Sequence, residues 1–248
     1  MLLLGLLLGG TSPLAAQWQI FAEQLPKPGS WATYQMETTR EGRVTATDEV
    51  RLTVRPGREI GGQALVWFSI EPVGWLGSRE RGPLRLLVRP DMDRASAGRL
   101  VENAAEIVFA NPVKGSYHMT REDISWVSDW ANLRYTSELT PAEPATEMIP
   151  LAAGRPVVCD RIQMRATTFT DPPMVSGQLL EFSGTIWRHA PTPFGVVRAE
   201  WLEKTTRGSK IREETKRLQL TASGWEPPTP EPVDRGRAFS VWRLIFNR

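Results

Sequence analysis

Strict alternation of apolar and polar residues is the feature that most limits what this 248-residue chain can fold into. In the stretch DEVRLTVRPG, Val50, Leu52 and Val54 alternate with two arginines and a threonine. A period of two places the two sets on opposite faces of a β-strand. The same period recurs along the chain, and 20 glycines and 20 prolines supply turns between short strands. The sequence therefore predicts a fold dominated by β-strands.

Eight segments carry this period, four on each side of a middle region with a different pattern. They are 30–40, 48–57, 61–72, 82–90, 155–169, 178–187, 192–204 and 209–224. Strands joined by short turns pair antiparallel, and a strongly twisted sheet of about eight strands tends to curl. We therefore expect an α+β, β-dominated fold: a strongly curved antiparallel sheet, or half-barrel, of about eight or more strands. The last segment, SKIREETKRLQLTASG, is interpreted as a charged, exposed hairpin arm.

The middle of the chain changes to helical spacing. Apolar residues in RLVENAAEIVF recur at the period of a helix, and MTREDISWVSDWANL predicts a second helix. In that second helix Thr120 and Asp123 have the spacing of a capping box. We expect a short helical insert near 92–133 that covers one side of the sheet. The proline-punctuated stretch TPAEPATEMIPLAAG, residues 140–154, is interpreted as a loop.

The two ends of the chain have patterns that predict a signal peptide and an extended tail. Residues 1–16, MLLLGLLLGGTSPLAA, join a short apolar run to small residues, the pattern of a signal peptide cut after Ala16. That run is too short to span a bilayer as a helix; a buried N-terminal strand is the alternative. We expect a lead-in over 17–27, a single domain over 28–223, and a Pro-rich tail with one last strand over 224–248. The mature chain is expected to be periplasmic or secreted, without a lipid-attachment cysteine or an integral membrane segment.

The composition argues against several kinds of function. The net charge is +2, and 30 basic side chains are interleaved with 28 acidic ones, so no field favours nucleic acid. The two histidines, His118 and His189, and the single cysteine, Cys159, give no cluster with metal-ligand spacing. Cys159 is interpreted as a small buried core residue. The sequence predicts no enzyme, no cofactor and no metal; a hydrolase with one histidine beside a nucleophile is the least favoured alternative.

Alternation within the strands also predicts where a ligand would bind. If the sheet is cupped, its concave face is apolar, and an apolar or lipid-like ligand would contact that face. The predicted concave-face residues are Val66, Phe68, Ile70, Phe182, Ile186, Val197 and Trp201. Ordinary core packing would select the same seven residues. Trp75, flanked by glycines in EPVGWLGSRERG, is predicted to form a contact loop, with folding back onto the sheet as the alternative.

Three segments resemble a known family. The opening GSWATY, with the pattern G-x-W-x-x-Y, the strand GRPVVCDRIQ and the hairpin IWRHAPTPFGVVRAEW are similar to bacterial exported proteins of the LolA/LolB-like half-barrel group, over residues 28–223. The resemblance implies an incomplete, curved sheet with helices plugging its mouth, which holds acyl chains or other apolar ligands without catalysis. A non-catalytic exported protein that binds a lipid-like ligand is therefore expected. The alternative is an envelope interaction or scaffold module that contacts a protein partner through the helix face at 120–133 or the Trp75 loop.

Overall fold

The computed structural model describes residues 14–74, 81–113, 115–152, 154–173, 176–228 and 233–239. Strands make up about 63% of the structure and helices about 10%, so the fold is β-dominated as expected. The helices of the described part are α1 (Leu14–Ala22), α2 (Arg94–Gly98) and α3 (Arg121–Trp130). The strands are β1 (Ser30–Arg40), β2 (Arg43–Ile60), β3 (Gln63–Gly74), β4 (Arg81–Val88), β5 (Glu106–Asn111), β6 (Gly115–Thr120), β7 (Arg134–Ile149), β8 (Val157–Thr170), β9 (Gln178–Arg188), β10 (Val196–Arg207), β11 (Lys210–Trp225) and β12 (Arg237–Ala238).

All twelve strands belong to one open, curved sheet, which confirms the predicted half-barrel. Their order is β12-β6-β5-β4-β3-β2-β1-β11-β10-β9-β8-β7. Every neighbouring pair is antiparallel except β12 and β6. Strand β1 pairs with β2 on one side and with β11 on the other, so the two halves of the chain form one continuous surface.

The sheet has two faces of unequal burial. The main apolar cluster lies on the face that also contacts α1, α2 and α3, and we call this face the inner face. Two small clusters lie on the opposite, outer face. One contains Leu65, Trp67, Leu87 and Val108, and the other contains Ile149, Cys159, Trp187 and Val197. In β3, Val66, Phe68 and Ile70 belong to the inner face while Leu65 and Trp67 belong to the outer face, so both faces of this strand are buried.

Helix α3 forms where its capping signal predicted it. The Thr120 backbone N–H donates to Asp123 Oδ2 at 2.8 Å, and the Asp123 N–H donates to Thr120 Oγ1 at 3.3 Å. This reciprocal pair satisfies two backbone donors at the start of the helix. Ile124 is buried against the inner-face cluster, whereas the rings of Trp126 and Trp130 stack on each other 6.0 Å apart.

Two predictions for the middle of the chain are wrong. The segment predicted as a helix over 99–109 contains β5, which is buried on both faces between β4 and β6 and therefore has no alternation to read. The segment predicted as a loop over 140–154 belongs largely to β7. That strand lies at the edge of the sheet, where prolines such as Pro141 and Pro144 remove no hydrogen bond from a central ladder.

The C-terminal tail returns to the sheet, and residues 240–248 of its predicted last strand lie outside the described residues. Val233 packs against the outer cluster around Trp67, and Arg235 Nε lies 2.7 Å from the buried carboxylate of Glu106. Arg237 and Ala238 then pair in parallel with β6 as the short strand β12. The tail therefore covers part of the sheet edge that β6 would otherwise leave unpaired.

Candidate functional site

Six of the seven residues predicted for the concave face lie together in the inner-face cluster. All six are buried, on three strands from both halves of the sheet. They are Val66, Phe68 and Ile70 on β3, Phe182 and Ile186 on β9, and Trp201 on β10. Their placement follows from alternation, because inner-face and outer-face residues exchange at every step along a strand. These residues therefore belong to a continuous apolar region of the inner face.

Val197 is the exception, and its predicted placement is wrong. Alternation from Ala199 and Trp201 assigns it to the inner face, but β10 carries a β-bulge between Val196 and Arg198. A bulge adds one residue to a strand, so the residues before it point to the face opposite to the one that alternation predicts. Val196 consequently faces inward, and Val197 packs in the outer cluster with Cys159 and Trp187.

Helix α1 covers one end of the inner face. Its Trp18, Ile20, Phe21 and Ala22 are all buried in the main cluster. The ring of Phe21 lies 5.1 Å from that of Tyr34 on β1 and 6.4 Å from that of Phe194 in the β9–β10 turn. We call this region, together with Phe68 at 5.8 Å from Phe194, the aromatic end. A helix, not a second sheet, therefore fills this part of the half-barrel.

A few polar contacts fix α1 in place. Arg188 Nη2 donates to the carbonyl of Ile20 at 3.2 Å, and Arg188 Nη1 lies 3.0 Å from the Glu23 carboxylate. Gln19 Nε2 donates to Ser137 Oγ at a long 3.4 Å. Arg94 Nε also lies 3.8 Å from the Glu23 carboxylate. The buried side chains of the helix add apolar packing, which is not directional. This kind of attachment can be replaced by another apolar group.

Tyr34 is the polar exception at the aromatic end. Its hydroxyl donates to the carbonyl of Val196 at 2.9 Å, and the side chain is fully buried. Burial raises the pKa of Tyr34 far above its usual value, so the hydroxyl stays neutral. It holds the start of β10 against β1 and is not available as a base.

Towards the β10–β11 turn the same inner face becomes charged. Five side chains lie there, and we call them the charged cluster: Arg40, Glu203, Arg212, Glu214 and Lys216. Lys216 Nζ lies 2.6 Å from Glu203 Oε2, and these two side chains are only 9% and 7% exposed. Glu214 Oε1 accepts from Arg40 at 2.6 Å and from Arg212 at 2.5 Å. The interior of the half-barrel is therefore apolar at one end and ionic at the other.

Opposing influences act on the Glu214 carboxyl. Burial by itself would raise its pKa, but the hydrogen bonds from Arg212 and Arg40, with the nearby charge of Lys216, outweigh burial. The pKa of Glu214 is consequently held below its usual value. The carboxylate is ionised at neutral pH and anchors both guanidinium groups.

Some buried polar atoms of the inner side lack a partner within the described part of the chain. They include Trp201 Nε1 on β10 and, on α1, Trp18 Nε1 and Gln19 Oε1. Glu203 Oε2 also has no hydrogen bond of proper angle, although Lys216 Nζ is within ion-pair distance. A buried donor or acceptor left unmatched costs about 1–3 kcal/mol. These atoms mark the positions on the inner side where a polar group would be most favourably bound.

The outer face of β7–β10 carries a different groove. Its volume is about 380 Å³, and polar side chains that alternate with inner-face positions line most of it. They include Thr136, Glu138, Arg165, Thr167, Glu181, Ser183 and Lys204, beside Leu202. Lys204 lies 3.7 Å from Glu181, so its charge has a partner there. Charges of both signs in an open groove define no single ligand chemistry.

The other residues singled out in the sequence lie apart from the inner face. Cys159 is buried in the outer cluster, as predicted, and burial raises the pKa of its thiol to about 11. His118 Nδ1 lies 3.3 Å from the carbonyl of Arg235, and His189 Nδ1 lies 3.1 Å from that of Val158. The predicted contact loop at Trp75 lies outside the described residues.

Two further properties of the described ranges concern metal binding and membrane insertion. In those residues no three His, Cys, Asp and Glu side chains are grouped so that they could bind a metal ion. Within the same part of the chain no helix has the length and apolar character needed to cross a membrane.

Comparison with known proteins identifies only distant structural similarity. No family model matches the chain, and no curated protein matches it. A DUF1329 family protein from Desulfovibrio piger aligns over 86% of this chain and 92% of its own, with 9% identity and a TM-score of 0.30. A LolA superfamily protein from Nitrosomonas europaea aligns over 86% of this chain and 93% of its own, with 12% identity and a TM-score of 0.25. The second belongs to the group that the sequence resembles, but similarity at this level says nothing about a ligand.

The charged cluster is the part of the interior that the sequence reading missed. The segment SKIREETKRLQLTASG was interpreted as exposed, yet Glu214, Lys216, Leu218 and Leu220 are all buried on the inner face. A signal was present, because Lys216 has the same parity as Leu218 and Leu220. The high charge of the segment concealed that half of it faces the interior.

Proposed function

We propose that this chain is a non-catalytic, exported protein that binds a lipid-like or other apolar ligand on the inner face of its half-barrel. One observation carries the proposal: a continuous apolar inner face is covered at one end by a short helix. A second sheet would pack against the first along the whole length of its strands, and a ligand could not replace it. A single helix that contributes a few side chains can be exchanged.

Ligand binding would use the surface that α1 now covers. Trp18, Ile20 and Phe21 occupy the inner side next to Tyr34 and Phe194. An acyl chain that replaced or lay beside them would gain about 25 cal/mol for each Å² of apolar area removed from water. Because the attachment of α1 is mostly apolar, the ligand and the helix compete for the same type of contact. We propose that α1 shifts when the ligand enters.

Export is part of the same proposal. The signal peptide predicted over 1–16 ends inside α1, which begins at Leu14. Cleavage after Ala16 would keep Trp18–Ala22, whose side chains are buried. We expect N-terminal sequencing of the exported protein to start at Gln17. A mature chain that began after Ala22 would lack the cover and would contradict this arrangement.

A fluorescent acyl probe tests the ligand proposal. We expect saturable binding at micromolar probe, with quenching of tryptophan fluorescence. Ala199→Phe adds a ring to a fully buried inner-face position on β10, whereas Ala222→Phe adds the same ring to an exposed position on β11. The added ring would occupy inner-face volume that the probe needs, so Ala199→Phe should weaken probe binding about tenfold and Ala222→Phe less than about twofold.

Two results would refute the ligand proposal. One is the absence of saturable quenching in the wild-type protein. The other is equal affinity in Ala199→Phe and Ala222→Phe, provided both give the circular dichroism spectrum of the wild type. Ala199→Val makes a smaller change at the same position and serves if the phenylalanine variant does not fold.

The alternative function, an envelope interaction or scaffold module, has one observation in its favour. Trp126 on α3 is 48% exposed and stacks on Trp130, so a flat aromatic surface faces outward from the helix predicted as a contact face. Aromatic side chains of this kind are enriched in protein interfaces. The alternative predicts that a specific envelope protein is captured by the wild-type chain and is lost with Trp126→Ala, while no lipid copurifies.

A further inference from the structure

We propose that Lys216 and Trp201 bind the head group of the ligand, and that this ligand is an amphiphile with a single negative charge, such as a fatty-acid carboxylate. The inference rests on the proposed function and adds the chemical class of the ligand. It comes from the charged cluster, which an apolar carrier would not need. Three features of the cluster support it: the position of its donors in the sheet register, the cost of burying them, and its net charge.

The sheet register places Trp201 and Lys216 side by side. Trp201 on β10 is directly opposite Lys216 on β11, and both side chains lie on the inner face. Side chains at opposite positions of antiparallel strands have Cβ atoms about 4.5–5.5 Å apart. The indole N–H of Trp201 has no hydrogen-bond partner within the described part of the chain, although this residue is only 4% exposed. The lysine brings three further N–H donors to the same place.

The ion pair between Lys216 and Glu203 does not occupy all of these N–H donors. Among the described residues Glu203 is the ion-pair partner of Lys216, but Glu203 Oε2 lacks a hydrogen bond of proper angle. A buried ion pair is often no more stabilising than apolar side chains of the same volume. An incompletely hydrogen-bonded pair beside an unmatched indole is therefore a cost to the fold. A bound carboxylate would accept hydrogen bonds from both donors and offset that cost.

The balance of charge selects an anion. The charged cluster contains three cations, Arg40, Arg212 and Lys216, against the carboxylates of Glu203 and Glu214. Asp48 lies on the neighbouring strand β2, and its carboxylate is paired with Arg81 at 2.5 Å. The Lys216–Glu203 pair is neutral by itself, so the charged cluster carries one surplus positive charge on Arg40 and Arg212, whose side chains are 40% and 61% exposed. A head group with one negative charge neutralises it, whereas an ammonium head group would be repelled.

Leu218 and Leu220 follow Lys216 on the inner face of β11, towards the aromatic end. A strand rises about 3.4 Å per residue, so Lys216 and Leu220 are about 14 Å apart. An extended acyl chain of medium length that starts at Lys216 would lie along these leucines. The head group and the chain thus have adjacent surfaces of matching polarity.

Calorimetric titration of the full chain at pH 8 with dodecanoate, dodecanol and dodecylamine tests the proposal. We expect dodecanoate to bind about tenfold or more tightly than dodecanol, because hydrogen bonds to a charged group are stronger than those to a neutral one. Dodecylamine should bind more weakly than dodecanol. Acetate should not compete, since it lacks the chain.

Four variants locate the effect. Lys216→Met and the paired variant E203Q/K216M should bind dodecanoate and dodecanol within about twofold of each other, and Trp201→Phe should weaken only dodecanoate. The matched control is Lys204→Met. Lys204 is a lysine on the neighbouring strand β10, and it lines the outer groove with Glu181. E203Q/K216M removes the pair together, so it keeps the test usable if Lys216→Met alone does not fold.

The possible outcomes distinguish a failure of the head-group site from a failure of the proposed function. If the wild type prefers dodecanoate and the preference disappears in E203Q/K216M but not in Lys204→Met, the head-group site is supported. If the wild type binds dodecanoate and dodecanol equally, or if the preference survives in E203Q/K216M, the head-group site is refuted while the apolar carrier stands. If none of the three amphiphiles binds, the proposed function fails and the head-group site fails with it.

Discussion

The aromatic end and the charged cluster are made by the same face of the same strands, yet they are built from opposite chemistry. On β1 the inner face carries Tyr34 in the middle of the strand and Arg40 at its end. On β11 it carries Leu220 and then, four residues away towards the turn, Lys216. The first region is covered by α1, and the second is held by ion pairs.

This contrast is the basis of the proposal that the interior serves more than stability. A core that serves only to hold the sheet together is most simply made apolar throughout, because buried ion pairs contribute little net stability. An interior that is apolar at one end and ionic at the other matches a molecule with the same two parts. The contrast can be tested by changing each end separately.

The largest effect on stability is expected at the aromatic end. Phe21→Ala removes a fully buried ring that contacts Tyr34 and Phe194. Replacing a buried phenylalanine by alanine costs about 3–5 kcal/mol. Urea unfolding measures this loss. The control Ile211→Ala, at a position 62% exposed, should change stability by less than about 0.5 kcal/mol. Equal losses in both variants would show that α1 is not packed on the inner face.

The charged cluster should respond differently to single and paired changes. Lys216→Met leaves the Glu203 carboxylate buried without its partner, and we expect a loss of about 3 kcal/mol. E203Q/K216M removes both charges and should lie within about 1 kcal/mol of the wild type, or be more stable. Thermal and urea unfolding of the set measure the difference. If the paired variant is the least stable of all, the pair is structural and the contrast between the two ends is weakened.

A smaller effect is expected where a polar group occurs inside the aromatic end. Tyr34→Phe removes the buried hydroxyl that donates to Val196 and keeps the ring. The expected loss is about 1–2 kcal/mol, because the carbonyl of Val196 loses its side-chain donor. Acyl-probe affinity should be unchanged, since the hydroxyl already has a partner. Urea unfolding and probe titration, performed on one preparation, separate the two readouts.

The smallest effect is expected in the pH dependence of stability at the charged cluster. Since the pKa of Glu214 is lowered in the folded chain, its stabilising effect is present above the carboxyl's unfolded pKa of about 4.3 and is lost as the pH falls through the lower folded value. The Glu214→Gln variant should therefore lose less stability between neutral and acidic pH than the wild type. Parallel acid-unfolding curves for the two proteins would contradict a lowered pKa at this position.

The sequence predicted the strands that have one buried and one polar face, because alternation reports that geometry directly. The segment 30–40 is β1 without any change of boundary. Strand β5 was missed because both its faces are buried, so Ile107, Val108 and Phe109 form a run without alternation. Strand β7 was missed because its edge position tolerates the prolines that usually indicate a loop.

The candidate site was predictable in its apolar part and not in its ionic part. Six of the seven concave-face residues followed from parity, and Val197 did not, because a bulge has no signature in a single sequence. Lys216 lies in the segment interpreted as exposed, because charge is usually exposed, although its parity matches that of Leu218 and Leu220. The pairing of β10 with β11 shows that Lys216 meets Glu203 on the inner face.

Native mass spectrometry of the protein isolated from cells without detergent tests the central claim most directly. We predict one amphiphile bound per chain, released by organic extraction and detected as an anion, and rebinding of one dodecanoate by the extracted protein. A folded chain that carries no ligand when isolated, and remains unliganded after incubation with dodecanoate, would contradict the claim that the inner face is a binding surface.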